Sequence, residues 1–356
     1  MKIALKIAIL VFILPFVAVT VLASEIPIDG TVSTFAGTGM HGASDGTEAQ
    51  FNLPYGIFGG NDGQLIVLDT YNNLIRSIDR YGVVERISGD VLLSDRRGFP
   101  TGRHRDGSSE IALFNRPVDG ILCQSGRLFI VDGANHAIRI IDEDEVYTFI
   151  GGRAGFNNGH YSVARFNWPS AAAVDRYGNL YVADTLNHTI RRIDHISGRV
   201  TTLAGVSGSR GYADGEFNRA RFNSPMGIAV SPDGQRVYVA DTGNHVIRVI
   251  ENRQVSTLAG TIAYHEDYDD SIFNFPQGLA LTGEYLIVAD SANHRIQMVS
   301  TLTGYTVTLA GTGEPGYVNG PANTAQFHFP RGVYVRDGSL YITDTGNNVI
   351  RVIEVR

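Results

Sequence analysis

Hydrophobic residues in this chain occur in short runs, and turn-forming residues lie between the runs. The run at residues 227–230 (GIAV) is followed by a turn at residues 231–234 (SPDG) and by a second apolar run at residues 237–240 (VYVA). Short apolar runs bounded by Gly, Pro and Asp are typical of buried β-strands. The pattern therefore predicts an all-β protein built from short strands.

The same order of elements recurs six times along the chain. Each copy opens with Phe, two further residues and Pro, and the six openings begin at Phe51, Phe114, Phe166, Phe222, Phe273 and Phe327. A third strand follows the segment Asp-x-x-Asn-(His or Asn)-x-Ile-Arg, and a fourth ends in Leu-Ala-Gly or a similar sequence, as at residues 255–260. Four strands in each of six copies predict a six-bladed β-propeller with four-stranded antiparallel blades.

The two ends of the repeat array complement each other. The last copy contains only three predicted strands, whereas residues 31–37 (TVSTFAG) match the fourth strand of the repeat and precede the first opening. We therefore expect the N-terminal strand to pair with the last blade, which closes the ring and removes two exposed sheet edges. One propeller domain over residues 24–356 accounts for this part of the sequence.

The first 23 residues differ in character from the repeats. Lys2 and Lys6 precede an uncharged apolar stretch at residues 7–22, and polar Ser24 follows Ala23. This arrangement predicts a signal peptide at residues 1–23 and a secreted, periplasmic or extracellular protein with no stable membrane insertion after cleavage. The alternative is a segment retained as a membrane anchor.

Charge and cysteine content narrow the possible functions. The formal net charge is −7, and it becomes −9 when the two lysines of the signal peptide are removed. An acidic surface repels phosphate backbones, so we expect no nucleic-acid partner. Cys123 is the only cysteine, so no intrachain disulfide can form, and packing must supply the stability.

The repeat resembles a known family. The Phe-Asn-x-Pro opening, the strand that ends at Asp184, the following Asn187 and His188, and the closing Leu-Ala-Gly are together similar to NHL repeats. The resemblance implies a six-bladed propeller, and it extends to exported sensor-like domains, RNA-binding propellers and peptidylglycine amidating lyases. In those lyases, the resemblance implies zinc-binding histidines directly after the opening Pro, and none of the six equivalent residues here is His.

Repeated polar residues are interpreted as structural. A four-residue loop sets Asp184 opposite Thr189 and Val182 opposite Arg191, and we expect Asp to cap the turn and to pair with Arg between blades. In the fifth copy Gln297 replaces the Arg, and Arg295 is expected to take over its role. The histidines at one repeated turn position are expected to point outward from different blades, which disfavours a shared metal: His136, His188, His245 and His294.

Function is expected where the sixfold symmetry fails. The residue after each opening Pro is predicted to begin an innermost strand near the mouth of the central channel: Tyr55, Val118, Ser170, Met226, Gln277 and Arg331. Four residues of this ring and two nearby aromatic residues, Trp168 and His328, form the predicted ligand-binding set: Tyr55, Trp168, Met226, Gln277, His328 and Arg331. The alternative is that these side chains plug the channel.

Two of the loops between blades also differ from the rest. The loop at residues 90–113 carries a basic cluster, formed by Arg96, Arg97, Arg103, His104 and Arg105, which is either an anion site or a solvated loop. The loop at residues 265–270 is rich in carboxylates that are suited to calcium, although it lacks the glycine and distal glutamate of a calcium loop.

Two functional hypotheses follow. The first is an exported, noncatalytic propeller that binds a protein, peptide or glycan through its blade-connecting loops, with no cofactor required by the sequence. The second is a metal-assisted lyase or hydrolase at the channel mouth that uses His328, Arg331 and Tyr55 with zinc or calcium. The symmetry of the repeated carboxylates and histidines favours the first hypothesis.

Overall fold

Six antiparallel sheets arranged around a central channel form this protein. The computed structural model describes residues 30–90, 100–261 and 273–354. Within these ranges nearly all regular structure is β, which confirms the six-bladed propeller. The predicted signal peptide lies outside the described residues, as do Arg96, Arg97 and the acidic loop at residues 265–270.

Each blade has four main strands, and four of the six sheets carry an additional two-residue strand at the outer edge. The strands of blades one to three are β2 (Ile57–Gly59), β3 (Leu65–Asp69), β4 (Leu74–Ile78), β5 (Val84–Ser88); β6 (Gly107–Ser108), β7 (Pro117–Leu122), β8 (Leu128–Asp132), β9 (Ala137–Asp142), β10 (Glu145–Gly151); β11 (Gly159–His160), β12 (Pro169–Val174), β13 (Leu180–Asp184), β14 (Thr189–Ile193) and β15 (Arg199–Ala204).

Blades four to six follow the same plan, and the N-terminal strand belongs to blade six. Their strands are β16 (Gly215–Glu216), β17 (Gly227–Val230), β18 (Val237–Asp241), β19 (Val246–Glu251), β20 (Gln254–Ala259); β21 (Pro276–Thr282), β22 (Tyr285–Asp290), β23 (Arg295–Ser300), β24 (Thr306–Ala310); β25 (Gly320–Pro321), β26 (Pro330–Arg336), β27 (Ser339–Asp344), β28 (Val349–Glu354) and β1 (Thr31–Ala36). Short 3₁₀ turns occur at Asn61–Gly63, Gly133–Asn135, Thr185–Asn187, Thr242–Asn244, Ser291–Asn293 and Thr345–Asn347.

The ring closes as the sequence predicts. Strand β1 pairs antiparallel with β28, so that Val32 lies opposite Ile353 and Thr34 lies opposite Arg351. The side chain of Val32 is fully buried. The N-terminal strand thus completes the last blade and covers an edge that would otherwise expose unpaired N–H and C=O groups.

The core lies between the blades. In one of its clusters Tyr181 and Ala183 of blade three pack against Ile228 and Val239 of blade four, together with Phe222. The opening phenylalanine of every repeat is buried: Phe51, Phe114, Phe166, Phe222, Phe273 and Phe327. Burying one such side chain stabilises the fold by about 2 to 3 kcal/mol.

The innermost strand runs in the same direction through the ring in every blade, and the next three strands alternate in direction. The innermost strand starts at the opening Pro, so the blade-connecting loops and the Asp-x-x-Asn turns share one face, which we call the loop face. The channel mouth opens at the centre of this face, and the hairpins between β21 and β22 or between β23 and β24 lie on the opposite face.

Candidate functional site

An aspartate and an arginine form a buried pair in five of the six blades, and we call these pairs the aspartate–arginine belt. In blade three Arg191 Nη1 lies 2.6 Å from Asp184 Oδ2, and both side chains are fully buried. The register matches the prediction, with Asp184 opposite Thr189 and Val182 opposite Arg191. The equivalent pairs are Asp69–Arg76, Asp132–Arg139, Asp241–Arg248 and Asp344–Arg351.

The belt corrects two details of the sequence interpretation. The pair joins neighbouring strands of one blade and does not cross between blades, because both residues lie on the same face of one sheet. Nor does the Asp accept a backbone N–H of its own turn: Asp184 Oδ1 accepts the N–H of Asn167, which follows the opening Phe of the same repeat, at 2.7 Å. The belt therefore ties the opening of each repeat to its central strands.

Blade five keeps this arrangement with different residues. Arg295 Nε lies 3.2 Å from Asp290 Oδ2, as the sequence predicts, and Gln297 Nε2 donates to the same oxygen at 3.3 Å.

Burial raises the pKa of Asp241 in blade four to about 6, while Arg248 and the hydrogen bonds to the carboxylate oppose that effect. At neutral pH the Asp241 carboxylate is therefore largely ionised, and the adjacent Arg248 matches its charge.

The repeated histidines connect neighbouring blades, which corrects the expectation that they point outward. His188 of blade three accepts the backbone N–H of Ser224 of blade four at Nδ1, at 3.0 Å. His136, His245 and His294 accept the corresponding N–H of Trp168, Phe275 and Phe329. At the two remaining junctions the acceptor is an Asn side chain, with Asn73 bound to Arg116 and Asn348 bound to Leu53.

These junctions hold the third residue of each opening in an unusual backbone conformation. All six of these residues have φ between 47° and 54°, and none of them is Gly: Leu53, Arg116, Trp168, Ser224, Phe275 and Phe329. Side chains other than Gly, Asn and Asp rarely adopt this left-handed conformation. We call these six residues the rim, because they encircle the channel mouth on the loop face. Phe275 and Phe329 are 46% and 41% exposed.

The channel lies inside the rim. Its lining includes all six residues that follow the opening prolines, together with Trp168, around a cavity of about 290 Å³: Tyr55, Val118, Ser170, Met226, Gln277 and Arg331. Ser170 is nevertheless committed to hydrogen bonds with Thr185 and with backbone carbonyls of blade four. The assignment of these residues to ligand binding stays a prediction.

His328 is not part of the channel lining. Its ring lies 5.7 Å from that of His294 and 5.1 Å from that of Phe329, measured between centroids, and it packs against the turn that contains Gly346. The structure therefore separates His328 from Arg331 and Tyr55, which the lyase hypothesis grouped together. Within the described ranges there is no cluster of three or more His, Cys, Asp or Glu side chains close enough to share a metal.

Two arginine–tyrosine pairs occupy one side of the mouth. Arg331 lies over the ring of Tyr55 at 4.0 Å, and Arg116 lies over the ring of Tyr71 at 3.4 Å. The two tyrosine rings are 6.1 Å apart. Burial raises the pKa of Tyr55 to about 12 against the opposing charge of Arg331, so the phenol stays protonated at neutral pH. We call these four residues the arginine–tyrosine cluster.

Asp119 is a channel residue that the sequence interpretation missed. Its Oδ2 accepts the N–H of Ala172 in blade three at 3.0 Å, and burial raises its pKa to about 7. In the other five blades the equivalent residue is small: Gly56, Ala171, Gly227, Gly278 and Gly332. At Gly227 an added Cβ would lie 1.8 Å from the carbonyl oxygen of Gln277, because neighbouring inner strands approach closely there. This departure from a repeated small residue was visible in the sequence.

The described part of the basic loop is engaged in local contacts. His104 Nε2 lies 2.7 Å from Thr148 Oγ1, and Arg105 Nε donates to the carbonyl of Ile111. Arg103 forms a backbone hydrogen bond with Phe114. Burial lowers the pKa of His104, so this imidazole is largely neutral at pH 7. His104 therefore adds little positive charge to the described portion of the loop.

Comparison with known proteins adds family information to this geometry. The NHL repeat model matches residues 222–250 and 273–297. The chain is 27% identical over 353 residues to the Arabidopsis thaliana protein SUPPRESSOR OF QUENCHING 1, chloroplastic, with 75% of this chain and 33% of that protein covered. It is 29% identical over 320 residues to human NHL repeat-containing protein 2, with 77% of this chain and 43% of that protein covered. The chain thus spans less than half the length of these curated relatives.

Solved structures share the fold at low sequence identity. An auxiliary nutrient binding protein from Bacteroides ovatus superimposes with a TM-score of 0.65 at 15% identity, which covers 91% of this chain and 76% of that one. Among residues 30–90, 100–261 and 273–354, no helix is long and apolar enough to cross a membrane.

Proposed function

The chain is an NHL-repeat protein, and on that basis we propose that it is an exported, noncatalytic binding scaffold that holds a protein, peptide or glycan at the loop face. The rim and the residues that follow the opening prolines form the contact surface. Export is supported by the arrangement of residues 1–23, in which two lysines precede an apolar stretch and a polar boundary.

The observation that carries this proposal is the conformation of the rim. Glycine adopts a positive φ at little cost, whereas other residues pay a steric penalty of about 1 kcal/mol each. All six blades nevertheless place a side chain there, and five residue types occur at the six positions, so the rim varies in size, charge and aromaticity. A scaffold that needed only the turn would favour Gly. Strained positions that present varied side chains around one opening are typical of a recognition surface.

The belt and the blade junctions explain how such a surface can vary. Each rim residue is fixed through its backbone N–H by a His or Asn of the preceding blade, and the rim side chain takes no part in that hydrogen bond. The backbone position is thus independent of which side chain is present. A repeated frame with variable side chains suits a binding module.

The test uses peptide and glycan arrays probed with labelled protein. We expect the purified protein to retain a defined set of array ligands, and the variant Phe275→Ser/Phe329→Ser to lose them. Serine occupies the equivalent rim position in blade four as Ser224, so the substitution is compatible with the backbone. Both phenylalanines are substantially exposed, so the expected change in the free energy of unfolding is within about 1 kcal/mol.

The matched control places the same kind of change on the opposite face. Leu302 and Tyr305 are 62% and 64% exposed in the turn between β23 and β24. The variant Leu302→Ser/Tyr305→Ser is expected to keep the array pattern of the wild type. Retention of that pattern by the rim variant, or the absence of any retained ligand, would contradict the proposal.

A second measurement addresses the cofactor. A noncatalytic scaffold predicts that chelator treatment leaves both the thermal melt and the array pattern unchanged. A stoichiometric metal whose removal abolishes the array pattern would favour a metal-dependent function instead, and elemental analysis of the purified protein would identify the ion.

A further inference from the structure

The arginines of the arginine–tyrosine cluster differ from the belt arginines in their charge partners. Each belt arginine contacts at least one carboxylate, as Arg191 contacts Asp184. Among the described residues, neither Arg331 nor Arg116 forms an ion pair with a carboxylate. This is notable in a chain of net charge −7, where acidic side chains are in excess.

Each of the two guanidinium groups has at least one N–H donor without a hydrogen-bond acceptor in the described structure. Arg331 Nη1 donates to Gln277 Oε1 at 2.9 Å, while its Nε is buried without a hydrogen-bond partner in the described structure. Nη1 of Arg116 is buried without a partner in the same part of the chain. Four of the five belt arginines also leave Nε unpaired, but a carboxylate already compensates their charge, as Asp184 does for Arg191. Within residues 30–90, 100–261 and 273–354, Arg331 and Arg116 each keep one buried donor without an acceptor and have no carboxylate partner.

Stacking on tyrosine fixes the orientation of these guanidinium groups. A cation over an aromatic face is stabilised by the ring quadrupole, and the N–H groups at the edge of the guanidinium stay available for a second interaction. The planar fork of an arginine matches a carboxylate in two parallel hydrogen bonds. The two arginine–tyrosine pairs are adjacent through Tyr55 and Tyr71, so both positive charges act on the same side of the mouth.

The rest of the cavity combines apolar side chains with Ser170, Gln277 and Asp119, whose Oδ2 accepts the N–H of Ala172. Trp168 and Met226 line the same channel as Arg331, and its volume of about 290 Å³ lies at the lower end of the range for small-molecule sites. A ligand that fills it must therefore be small, with an anionic end and an apolar body.

We propose that the channel mouth binds a small organic acid, whose carboxylate pairs with Arg331 and whose apolar body lies against Trp168 and Met226. Arg116 increases the positive potential at the carboxylate from across Tyr71. This proposal rests on the binding function proposed above, because it assigns a ligand class to the mouth that the rim surrounds.

The test is calorimetric titration of the purified protein with benzoate, phenylacetate and hexanoate, and with benzamide, phenylacetamide and hexanamide as uncharged counterparts. We expect at least one acid to bind and its amide to bind about ten- to a hundredfold more weakly, because a charge-assisted hydrogen bond is lost. Arg331→Gln is expected to weaken binding of the acid by a similar factor. Arg116→Gln is expected to have a smaller effect, since Arg116 acts from across Tyr71.

Two further variants separate binding from folding. Arg331→Lys keeps the charge and is expected to retain part of the affinity even if Arg331→Gln proves unstable. Arg219→Gln removes an arginine whose side chain is 82% exposed and pairs with Glu216 of the outermost strand β16, and it is expected to bind the acid like the wild type. Equal affinity of Arg331→Gln and the wild type for the acid would overturn the proposal.

The ligand panel also sets the limits of the assignment. Equal binding of acid and amide, or no binding of any of the three acids at millimolar concentration, would overturn it. Inorganic phosphate that binds as tightly as the best acid would show a general anion site and would also overturn the assignment to organic acids. If the acids fail while the Phe275→Ser/Phe329→Ser variant still loses its array ligands, the binding scaffold stands and only this ligand class is wrong.

Discussion

The belt and the channel mouth both place arginines against aromatic rings, but they compensate the charge differently. In the belt, Arg191 lies 5.3 Å from the ring of Phe166 and pairs with buried Asp184. At the mouth, Arg331 lies 4.0 Å from the ring of Tyr55, with Gln277 as its hydrogen-bond partner. The belt occurs in every blade, with substitutes in blade five, whereas the residue after the opening Pro is different in each of the six blades. In this molecule repetition marks the residues that hold the fold, and departure from repetition marks the candidate site.

The largest expected effect comes from opening the ring. Deleting residues 31–36 removes the strand that pairs with β28 and exposes the edge on which Val32 packs against its neighbours. We expect a loss of about 5 kcal/mol or more in the free energy of unfolding, from lost apolar burial and lost strand hydrogen bonds. Urea unfolding followed by circular dichroism measures it. An unchanged urea midpoint would contradict the role of the N-terminal strand in closure.

Breaking one belt pair is expected to rank second. Arg191→Gln leaves Asp184 buried without its cation, which costs about 3 to 5 kcal/mol. Blade five offers a rescue, because Arg295 lies opposite Asp290 as Thr189 lies opposite Asp184. The variant Arg191→Gln/Thr189→Arg should recover part of the loss in urea unfolding. A single variant that loses less than about 1 kcal/mol would show that the belt pair is not essential.

The stability that the histidines at the blade junctions contribute is expected to depend on pH. Burial lowers the pKa of the four junction histidines, and each accepts an N–H at Nδ1 only when that nitrogen is unprotonated. The unfolded chain takes up protons first as the pH falls below about 6.5, so the stability that these junctions contribute is present above that pH and is lost below it.

Replacing all four junction histidines with Asn tests this linkage. Asn73 and Asn348 already serve as acceptors at the other two junctions, so the backbone is compatible. The difference in unfolding free energy between the variant and the wild type should shift in favour of the variant between about pH 7.5 and about pH 5.5. The carboxylates are the same in both proteins, so their contributions largely cancel in this difference. A difference that is independent of pH would show that the histidines do not titrate with folding.

The smallest expected effect is at the rim. Ser224→Gly removes the steric cost of a positive φ but increases the freedom of the unfolded chain, so we expect a change between zero and about 1 kcal/mol of stabilisation. Thermal unfolding of the single variant measures it. A clear destabilisation would show that the Ser224 side chain contributes to the fold, which would weaken the assignment of the rim to recognition.

Much of the fold could be predicted from the sequence because it is encoded six times. One copy of an apolar run is ambiguous, but six aligned copies established the strand order, the closure by residues 31–37 and the pairing of Asp184 with Thr189. The substitution of Arg295 for the missing arginine in blade five was likewise predictable, since period-two alternation places it on the same face as Gln297. Because the same weak local signals recur in six aligned copies, together they predict the strand register of the blades.

The errors concern contacts that depend on how blades pack. The sequence did not show that His188 reaches Ser224 of the next blade, because that contact depends on the left-handed turn and on the spacing between sheets. His328 was grouped with the channel by its proximity to Pro330, although its backbone turns the side chain toward His294. Asp119 was visible as the one large residue at a position otherwise held by Gly or Ala, but the close approach of inner strands that makes this informative is a property of the structure.

The most direct test of the distinction between scaffold and site is urea unfolding of Arg331→Gln beside Arg191→Gln at neutral pH. Both variants remove a buried guanidinium that lies over an aromatic ring, and only Arg191 has a carboxylate that would be left without its cation. We predict a loss of about 3 to 5 kcal/mol for Arg191→Gln and of about 1 kcal/mol for Arg331→Gln. An equally large loss for Arg331→Gln would contradict the account, because the channel arginine would then be part of the scaffold and a structural plug of the channel.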